Sequence, residues 1–258
     1  MVKGLPKFRE HFRDYQDQFV LIGGAACDEW FGARNLRFRA TNDLDIVLVV
    51  EAIKPSFLRH FWSFIQAGSY QTRERASGDH EYFRFLKPEQ ADYPAKMELF
   101  SRQPDGLALF DGQKIVPIGV GEEISSLSAI LMNEDYYSLI VNCREAREEL
   151  PMVRADGLIP LKARAWLDLT RRKQANENVD SDDIIKHRND VFRLSMILSV
   201  GGQLALPDLI RADLRSFLAA FPASSQDWPH ILSALRNTIR QPAAPESMRQ
   251  ILINYFSV

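Results

Sequence analysis

Residues 43–50 of this 258-residue chain read DLDIVLVV. After its second aspartate the stretch is entirely apolar and rich in β-branched residues, which is typical of a short buried strand. Asp43 and Asp45 lie two residues apart, and residues i and i+2 of a strand project from the same face of a sheet. The sequence therefore predicts a buried strand that carries two carboxylates on one face at its entry.

Upstream of this strand, the apolar run 19–22 is followed by Gly23 and Gly24 and then by the helix-type segment 25–31. This pattern predicts a strand, a tight glycine turn and a helix. Backbone N–H groups at a helix N-terminus can bind phosphate oxygens, and glycine leaves no side chain in the way. A glycine pair can also be only a tight connection, so the turn alone does not decide between the two interpretations.

The carboxylate pair likewise allows two interpretations, because a D-x-D sequence is often only a turn or cap. Two carboxylates that enter a buried strand cost free energy unless they are paired or bound to metal. Glu98 lies in another predicted strand, 96–100, and supplies a third carboxylate if that strand is a neighbour of 43–50; otherwise it is an ion-pair partner at a sheet edge. Such a set suits a pair of hard cations about 3.5–4 Å apart, as in two-metal phosphoryl chemistry.

The rest of the chain divides into two regions. The first ~120 residues predict a small mixed α/β arrangement, and the remaining residues are mostly helical. The patterns predict further strands at 82–86 and 115–118, and helices at 56–65, 125–132, 136–149, 158–172, 184–199, 207–221, 228–240 and 246–256. We therefore expect an α/β (α+β) protein with an α/β domain at 1–150 and a helical domain at 151–258 that closes an active-site cleft.

Composition excludes several classes of protein. The chain has 32 Lys and Arg against 34 Asp and Glu, so it is not a dedicated polyanion binder. The longest apolar run, 46–50, is far shorter than the ~20 residues of a membrane helix. The charged N-terminus predicts no signal peptide, and the widely separated Cys27 and Cys143 predict neither a disulfide framework nor a zinc cluster. We expect a cytoplasmic protein without a membrane partner.

The glycine turn at 22–24 (IGG) and the carboxylate pair at 43–45 (DLD) together resemble the signature of the DNA polymerase β-like nucleotidyltransferase superfamily. The longer run 39–45 (RATNDLD) resembles the corresponding run of the AbiEii-type toxin branch. Segment 158–165 (LIPLKARA) is similar to a lysine-containing helical motif of that branch. Segment 189–194 (NDVFRL) is similar to a further helical motif, with Asp190 at its first aspartate and Arg193 in place of its second.

The resemblance implies an enzyme that uses Mg²⁺, or Mn²⁺, to transfer NMP from an NTP to an acceptor. It implies that Asp43 and Asp45 hold the metals and that Glu98 completes the metal site or acts as a base. It also implies that the amides of Gly23 and Gly24 bind the β- and γ-phosphates.

Four further residues take roles from the same resemblance. Lys162 is expected to balance the charge of the triphosphate, and Asp190 to orient Lys162. Arg39 and Thr41 are expected to contact phosphate, although they can also serve only to set the turn before the strand.

The AbiEii branch implies the toxin of a toxin–antitoxin or phage-defence pair, with tRNA or a protein side chain as the acceptor and a cognate antitoxin as partner. Two alternatives stay open. The same fold can nucleotidylate a small molecule such as an aminoglycoside. A degenerate fold can instead act as a non-catalytic binding partner, and Arg193 is the main feature in favour of that interpretation.

Overall fold

A computed structural model describes residues 2–49, 51–72, 82–100, 130 and 133–258. Its first part contains, in chain order, α1 (Leu5–His11), a short 3₁₀ turn (Arg13–Tyr15), β1 (Phe19–Ile22), α2 (Gly23–Gly32), β2 (Asp43–Leu48), α3 (Pro55–Ala67), β3 (Gln71–Thr72), β4 (Tyr82–Leu86) and β5 (Lys96–Phe100). Its second part contains α4 (Glu134–Asn142), β6 (Arg144–Arg147), β7 (Leu150–Val153), α5 (Ala155–Gln174), α6 (Ser181–Ser195), α7 (Asp208–Ala220), α8 (Trp228–Leu235) and α9 (Pro245–Phe256).

The described strands form one mixed sheet in the order β3-β4-β5-β2-β1-β7-β6. The central strand β1 pairs antiparallel with β2 and parallel with β7, while β2 pairs parallel with β5. All four residues of β1 are buried, as expected of a strand that is covered on both faces. The predicted α/β fold class is confirmed, and so are the bounds of β1, β4 and β5.

An aromatic cluster holds α1 and α3 against the first strand. The ring of Phe8 lies edge-on to Phe19 and to Phe64, with centroids 5.5 and 5.8 Å apart. Phe12 packs against Phe57 and Phe64 in the same cluster. This core covers one face of the sheet and fixes the strands that carry the site. The helix α1 and the two-residue strand β3 have no counterpart among the sequence predictions.

The predicted helix 136–149 is wrong beyond Asn142, where α4 ends. The following residues form an antiparallel hairpin of β6 and β7, whose turn contains Glu148 and Glu149 with positive φ. Leu21 of β1 pairs with Met152 of β7, so tertiary pairing with the central strand overrides the helical propensity of this segment.

Several helix boundaries also differ from the predictions. α5 begins at Ala155, so Pro160 lies inside the helix and not in its first turn. α6 begins at Ser181, because the Asp180 side chain accepts a hydrogen bond from the Asp182 amide, and it ends at Ser195, before the glycines at 201–202. α8 ends at Leu235 and not at 240, and β2 ends at Leu48. The predicted strand 115–118 and all of the predicted helix 125–132 except residue 130 lie outside the described residues.

The helix α2 contacts the strand that leads into α5. The Trp30 indole of α2 donates a 2.8 Å hydrogen bond to the Val153 carbonyl at the end of β7. The boundary between 150 and 151 lies inside β7, so three residues of the predicted helical domain complete the sheet. The division into two domains stays a prediction.

Within the described part of the chain, no helix is both long and apolar enough to cross a membrane.

Candidate active site

The carboxylate face of the site is set by the register of the central strands. Asp45 of β2 lies opposite Ile22, the last residue of β1, and on its other side it pairs with Glu98 of β5. Asp43 pairs in the same way with Lys96. The expected neighbour relation between the Asp strand and the Glu98 strand is therefore confirmed. Because directly paired residues share a face, the register places the three carboxylates and Lys96 on one patch.

The glycine turn packs directly on this patch. Gly23 has φ +67°, and a Cβ atom built on it would overlap Asp45 Oδ2. A Cβ atom on Gly24 would overlap Thr41 Oγ1 in the same way. Close approach therefore requires glycine at both positions, and at Gly23 the backbone conformation requires it as well. The turn, the hydroxyl of Thr41 and the carboxylate of Asp45 form one continuous wall.

Gly23→Ala is expected to destabilise the protein by about 1–3 kcal/mol, because it adds strain at positive φ and displaces Asp45. Gly32→Ala is a matched control, since Gly32 ends the same helix and a Cβ atom there meets nothing within 4 Å. Urea unfolding of both variants measures the difference. Equal stability of the two variants would show that the packing of the turn on Asp45 is not required.

Two cations neutralise part of the carboxylate patch. Lys96 Nζ lies 3.1 Å from Asp43 Oδ2 and 3.0 Å from Glu98 Oε1. Arg84 Nη2 lies 2.6 Å from the same Glu98 oxygen. The described residues contain no group of three or more His, Cys, Asp or Glu side chains arranged to hold a metal ion. Lys96 bridges Asp43 and Glu98, and the three-ligand metal set stays a prediction.

Asp45 is a carboxylate whose ionised form is unfavourable in its buried surroundings. Burial, and to a smaller extent the neighbouring Glu98, raise the pKa of Asp45 to about 7, although Lys162 and Lys96 oppose the shift. Asp43 and Asp45 offer hard oxygen donors on one face, which is the chemistry that Mg²⁺ or Mn²⁺ prefers. These two side chains therefore fit a divalent cation, whereas Glu98 is held by its two cations.

Asp190 forms an ion-pair cluster behind the site. It is completely buried, and three cations contact its carboxylate: Arg39 Nη2 at 2.9 Å, Arg193 Nη1 at 2.6 Å and Lys162 Nζ at 3.5 Å. Burial alone would raise the pKa of Asp190, but Lys162, Arg39 and Arg193 outweigh it and the pKa lies below its ordinary value. Arg193 is thus a partner of Asp190.

A cavity of about 180 Å³ opens on the carboxylate patch. Eight of the nine predicted site residues line it: Gly23, Gly24, Arg39, Thr41, Asp43, Asp45, Glu98 and Lys162. The ninth, Asp190, is not among the lining residues and contacts Lys162 and Arg39 from behind. Its placement agrees with the expected orienting role, which stays a prediction.

The cavity also has lining residues that the sequence analysis did not place in the site. They are Lys96 from β5, Asp183, Lys186 and His187 from α6, and the apolar side chains of Ile22, Phe100, Leu158, Leu161, Ala165 and Leu169. The sequence pattern could have placed Lys96 in the site, since it lies two residues before Glu98 on the same face of a predicted strand. Asp183 and His187 belong to no motif, and only their i, i+4 spacing on one helix connects them.

The sequence matches no protein-family model, and no curated protein matches it. Among solved structures, the chain is similar to an antigenic nucleotidyltransferase-like protein from Paracoccidioides brasiliensis, with a TM-score of 0.46 and 12% sequence identity. The match covers 94% of this chain and 98% of that chain. A likeness at this level does not establish a family, so the chemistry of the site rests on its own residues.

Proposed function

We propose that the protein is a magnesium-dependent nucleotidyltransferase that moves NMP from an NTP to an acceptor hydroxyl. The observation that carries the proposal is the packing of the Gly23-Gly24 turn onto Asp45 and Thr41, next to Asp43. In this arrangement the turn amides would bind phosphate directly beside a pair of carboxylates. The AbiEii type stays part of the proposal and rests on the sequence resemblance.

Each group of residues that lines the cavity has a distinct role in this proposal. Asp43 and Asp45 would hold Mg²⁺, or Mn²⁺, which supplies charge neutralisation and activation of the attacking oxygen when bound. The turn at Gly23 and Gly24 would bind phosphate oxygens through its amides. Lys162, which is 6% exposed, would lie against the triphosphate because Asp190 holds its ammonium group in the cavity wall.

The reaction breaks the bond between the α-phosphorus and the bridging oxygen and releases pyrophosphate. The acceptor oxygen forms the new bond to phosphorus, and its proton passes to a base. Glu98 is the proposed base, since it lies beside Asp45 in the register, and Arg84 and Lys96 fix the position of its carboxylate. The chain supplies positioning and charge, which is the main protein contribution in phosphoryl transfer.

The proposed acceptor is tRNA, and the proposed setting is a toxin with a cognate antitoxin. A larger open groove of about 770 Å³ shares Arg39 and Thr41 with the catalytic cavity. Lys3, Arg37 and Arg147 border it. Acidic groups, including Glu29 and Glu148, also border the groove, so it is not a uniformly basic surface. The groove is the proposed place for the acceptor because it shares Arg39 and Thr41 with the cavity.

The test is incubation of the protein with Mg²⁺, each α-³²P-labelled NTP, and one of three acceptors: total tRNA, cell extract or an aminoglycoside. Wild-type protein is expected to label one acceptor class, and Asp43→Ala/Asp45→Ala protein is expected to label none. Asp208→Ala is the control, because Asp208 is almost fully exposed on α7 and is not among the residues that line the cavity. Label on an aminoglycoside and not on RNA would support the small-molecule alternative.

Two negative results together would overturn the proposed function. If well-folded wild-type protein transfers no label with any NTP, and no NTP raises its melting temperature, the protein is not a nucleotidyltransferase. A ligand that binds only the folded state at a hundred times its Kd stabilises it by about 2.7 kcal/mol, so binding without transfer would be visible. That second result would support a non-catalytic nucleotide-binding role.

A further inference from the structure

Lys96 is built into the carboxylate patch by the pairing of its strand. Its Cα atom lies opposite Asp43 in the parallel register of β5 and β2, and Glu98 follows two residues later on the same face of β5. The Lys96 Nζ atom contacts both neighbours, at 3.1 Å from Asp43 Oδ2 and 3.0 Å from Glu98 Oε1. The ammonium group thus joins a carboxylate of one strand to a carboxylate of the next.

Arg84 holds Glu98 from the other neighbouring strand. It lies directly across from Glu98 in the antiparallel pairing of β4 and β5, and its Nε and Nη2 atoms lie 2.7 and 2.6 Å from Glu98 Oε1. Lys96 contacts the same oxygen, and Glu98 is only 6% exposed. A divalent cation would have to displace two buried ion-pair partners to bind this oxygen, which is costly.

Asp45 differs from Glu98 in this respect. Among the described residues it takes part in no ion pair, although it lies beside Glu98 in the register and lines the same cavity. Asp43 keeps one oxygen, Oδ1, because Lys96 contacts Oδ2. The carboxylate oxygens that are left for a divalent cation therefore belong to Asp43 and Asp45.

The charges of the patch lead to the same conclusion. Its three carboxylates carry three negative charges when they are ionised, and Lys96 and Arg84, which contact them, carry two positive charges. One divalent cation is enough to neutralise the negative charge that remains. A second one, at the spacing of about 3.5–4 Å found in two-metal sites, would have to share Asp43 or Glu98 with the Lys96 ammonium. The two positive charges would repel each other.

We propose that Lys96 supplies the second positive charge of the active site, so that the protein works with one divalent cation where two-metal phosphoryl transfer uses two. This inference rests on the proposed nucleotidyltransferase function and specifies which groups provide the charge. Asp43 and Asp45 hold the one cation, and Lys96 fixes Glu98 outside its coordination. Glu98 keeps the proposed role of base and is not a metal ligand. Lys96 is a positioning residue, because it acts through the carboxylates.

The opposing case is that Lys96 leaves the patch when metal and nucleotide bind. Glu98 would then act as the third metal ligand, and the three carboxylates would hold a pair of cations. The number of divalent cations bound per chain separates the two cases. A lysine that only stabilised the fold would have no effect on that number.

Equilibrium dialysis of the whole chain against Mn²⁺ counts these cations. Both compartments contain the α,β-methylene analogues of ATP, GTP, CTP and UTP at saturating concentration, and the excess of Mn²⁺ on the protein side gives the number bound. For the wild type we expect one Mn²⁺ per chain at saturation. Two per chain would overturn the inference, because Lys96 would have given way to a second ion. This count does not depend on whether any variant folds.

Lys96→Met is the matching variant, because it keeps an unbranched side chain and removes the charge. It is expected to bind two Mn²⁺ per chain, since Asp43 and Glu98 can then share an ion. Lys96→Met/Glu98→Gln is expected to return to one, because the second ion loses a carboxylate ligand. Lys54→Met is the control, since Lys54 pairs with Asp17 at the surface and does not line the cavity; it should keep the wild-type count.

The outcomes separate this inference from the proposed function. If the wild type binds neither Mn²⁺ nor any of the four analogues, the proposed function fails and the inference fails with it. If the wild type and Lys96→Met bind the same number of ions, or if the double variant still binds two, the inference is overturned and the proposed function stands. A count that rises from one to two in Lys96→Met but not in Lys54→Met would confirm the role of Lys96.

Discussion

Asp190→Ala is expected to lower the free energy of unfolding by about 3–5 kcal/mol, because it leaves buried cations without their counter-charge. The carboxylate is completely buried and contacts Arg39, Lys162 and Arg193. Removal of one partner from a buried ion pair is far more costly than replacement of the whole pair. For a chain of this size the loss corresponds to a fall in melting temperature of roughly 10 °C.

Differential scanning calorimetry of Asp190→Ala beside Asp208→Ala measures this effect. Asp208 forms a surface pair with Arg211 on α7, and its removal should change the stability by less than about 0.5 kcal/mol. Similar melting temperatures for the two variants would mean that water reaches the Asp190 cluster and screens it.

The ion-pair cluster around Asp190 makes the stability of the fold depend on pH in the acid range. The pKa of Asp190 in the folded protein lies below its ordinary value of 3.8, since its three cations outweigh burial. The stabilisation is therefore fully present above about pH 4 and is lost as the pH falls through the folded-state pKa. Asp190→Ala should flatten this acid limb of the stability curve.

Asp45→Asn is expected to abolish transfer, with a loss on the order of a thousandfold or more in kcat, and at the same time to stabilise the metal-free protein. The activity is expected to fall because a carboxylate proposed to hold the metal is lost. The stability rises because burial and the adjacent Glu98 raise the pKa of Asp45 to about 7, so its ionised form is unfavourable in the fold at neutral pH. A gain of about 1 kcal/mol is expected.

In Asp45→Asn the activity is expected to fall while the stability rises. This combination distinguishes a catalytic carboxylate from a structural one. Initial rates of NMP transfer and thermal melts without metal, both at pH 8, provide the two readouts. A structural ion-pair partner would lose stability on substitution, as Asp190 is expected to do. A lower melting temperature for Asp45→Asn, or a retained rate, would contradict the assignment of Asp45 to the metal.

The patch of carboxylates could be predicted because it depends mostly on local sequence patterns. Strand periodicity places Asp43 and Asp45 on one face, and an apolar run followed by Gly23 and Gly24 marks a turn without ambiguity. The placement of Glu98 required one long-range assumption, that two strands are neighbours, and the register bears it out. Its pairing with Arg84 was not predictable, since it depends on which third strand lies alongside, whereas Lys96 lies two residues before it on the same face of its own strand.

The hairpin of β6 and β7 could not be predicted for the same physical reason. Residues 144–147 (REAR) favour a helix by composition and become a strand only because β7 is held beside β1 by long-range pairing. The part of the cavity that α6 lines was equally hidden. Asp183 and His187 stand on the surface of a helix whose inward face is set by packing against α5, and local sequence does not encode which face that is.

The pairing of β1 with β7 has a consequence for synthesis on the ribosome. Residue 152 leaves the exit tunnel 131 residues after its partner, residue 21. At about 5–20 residues per second this leaves one edge of a wholly apolar strand uncovered for on the order of ten seconds. During that interval the nascent chain exposes an open edge to other chains. The yield of native protein should therefore depend on the speed of translation and on chaperones that shield the edge until β7 arrives.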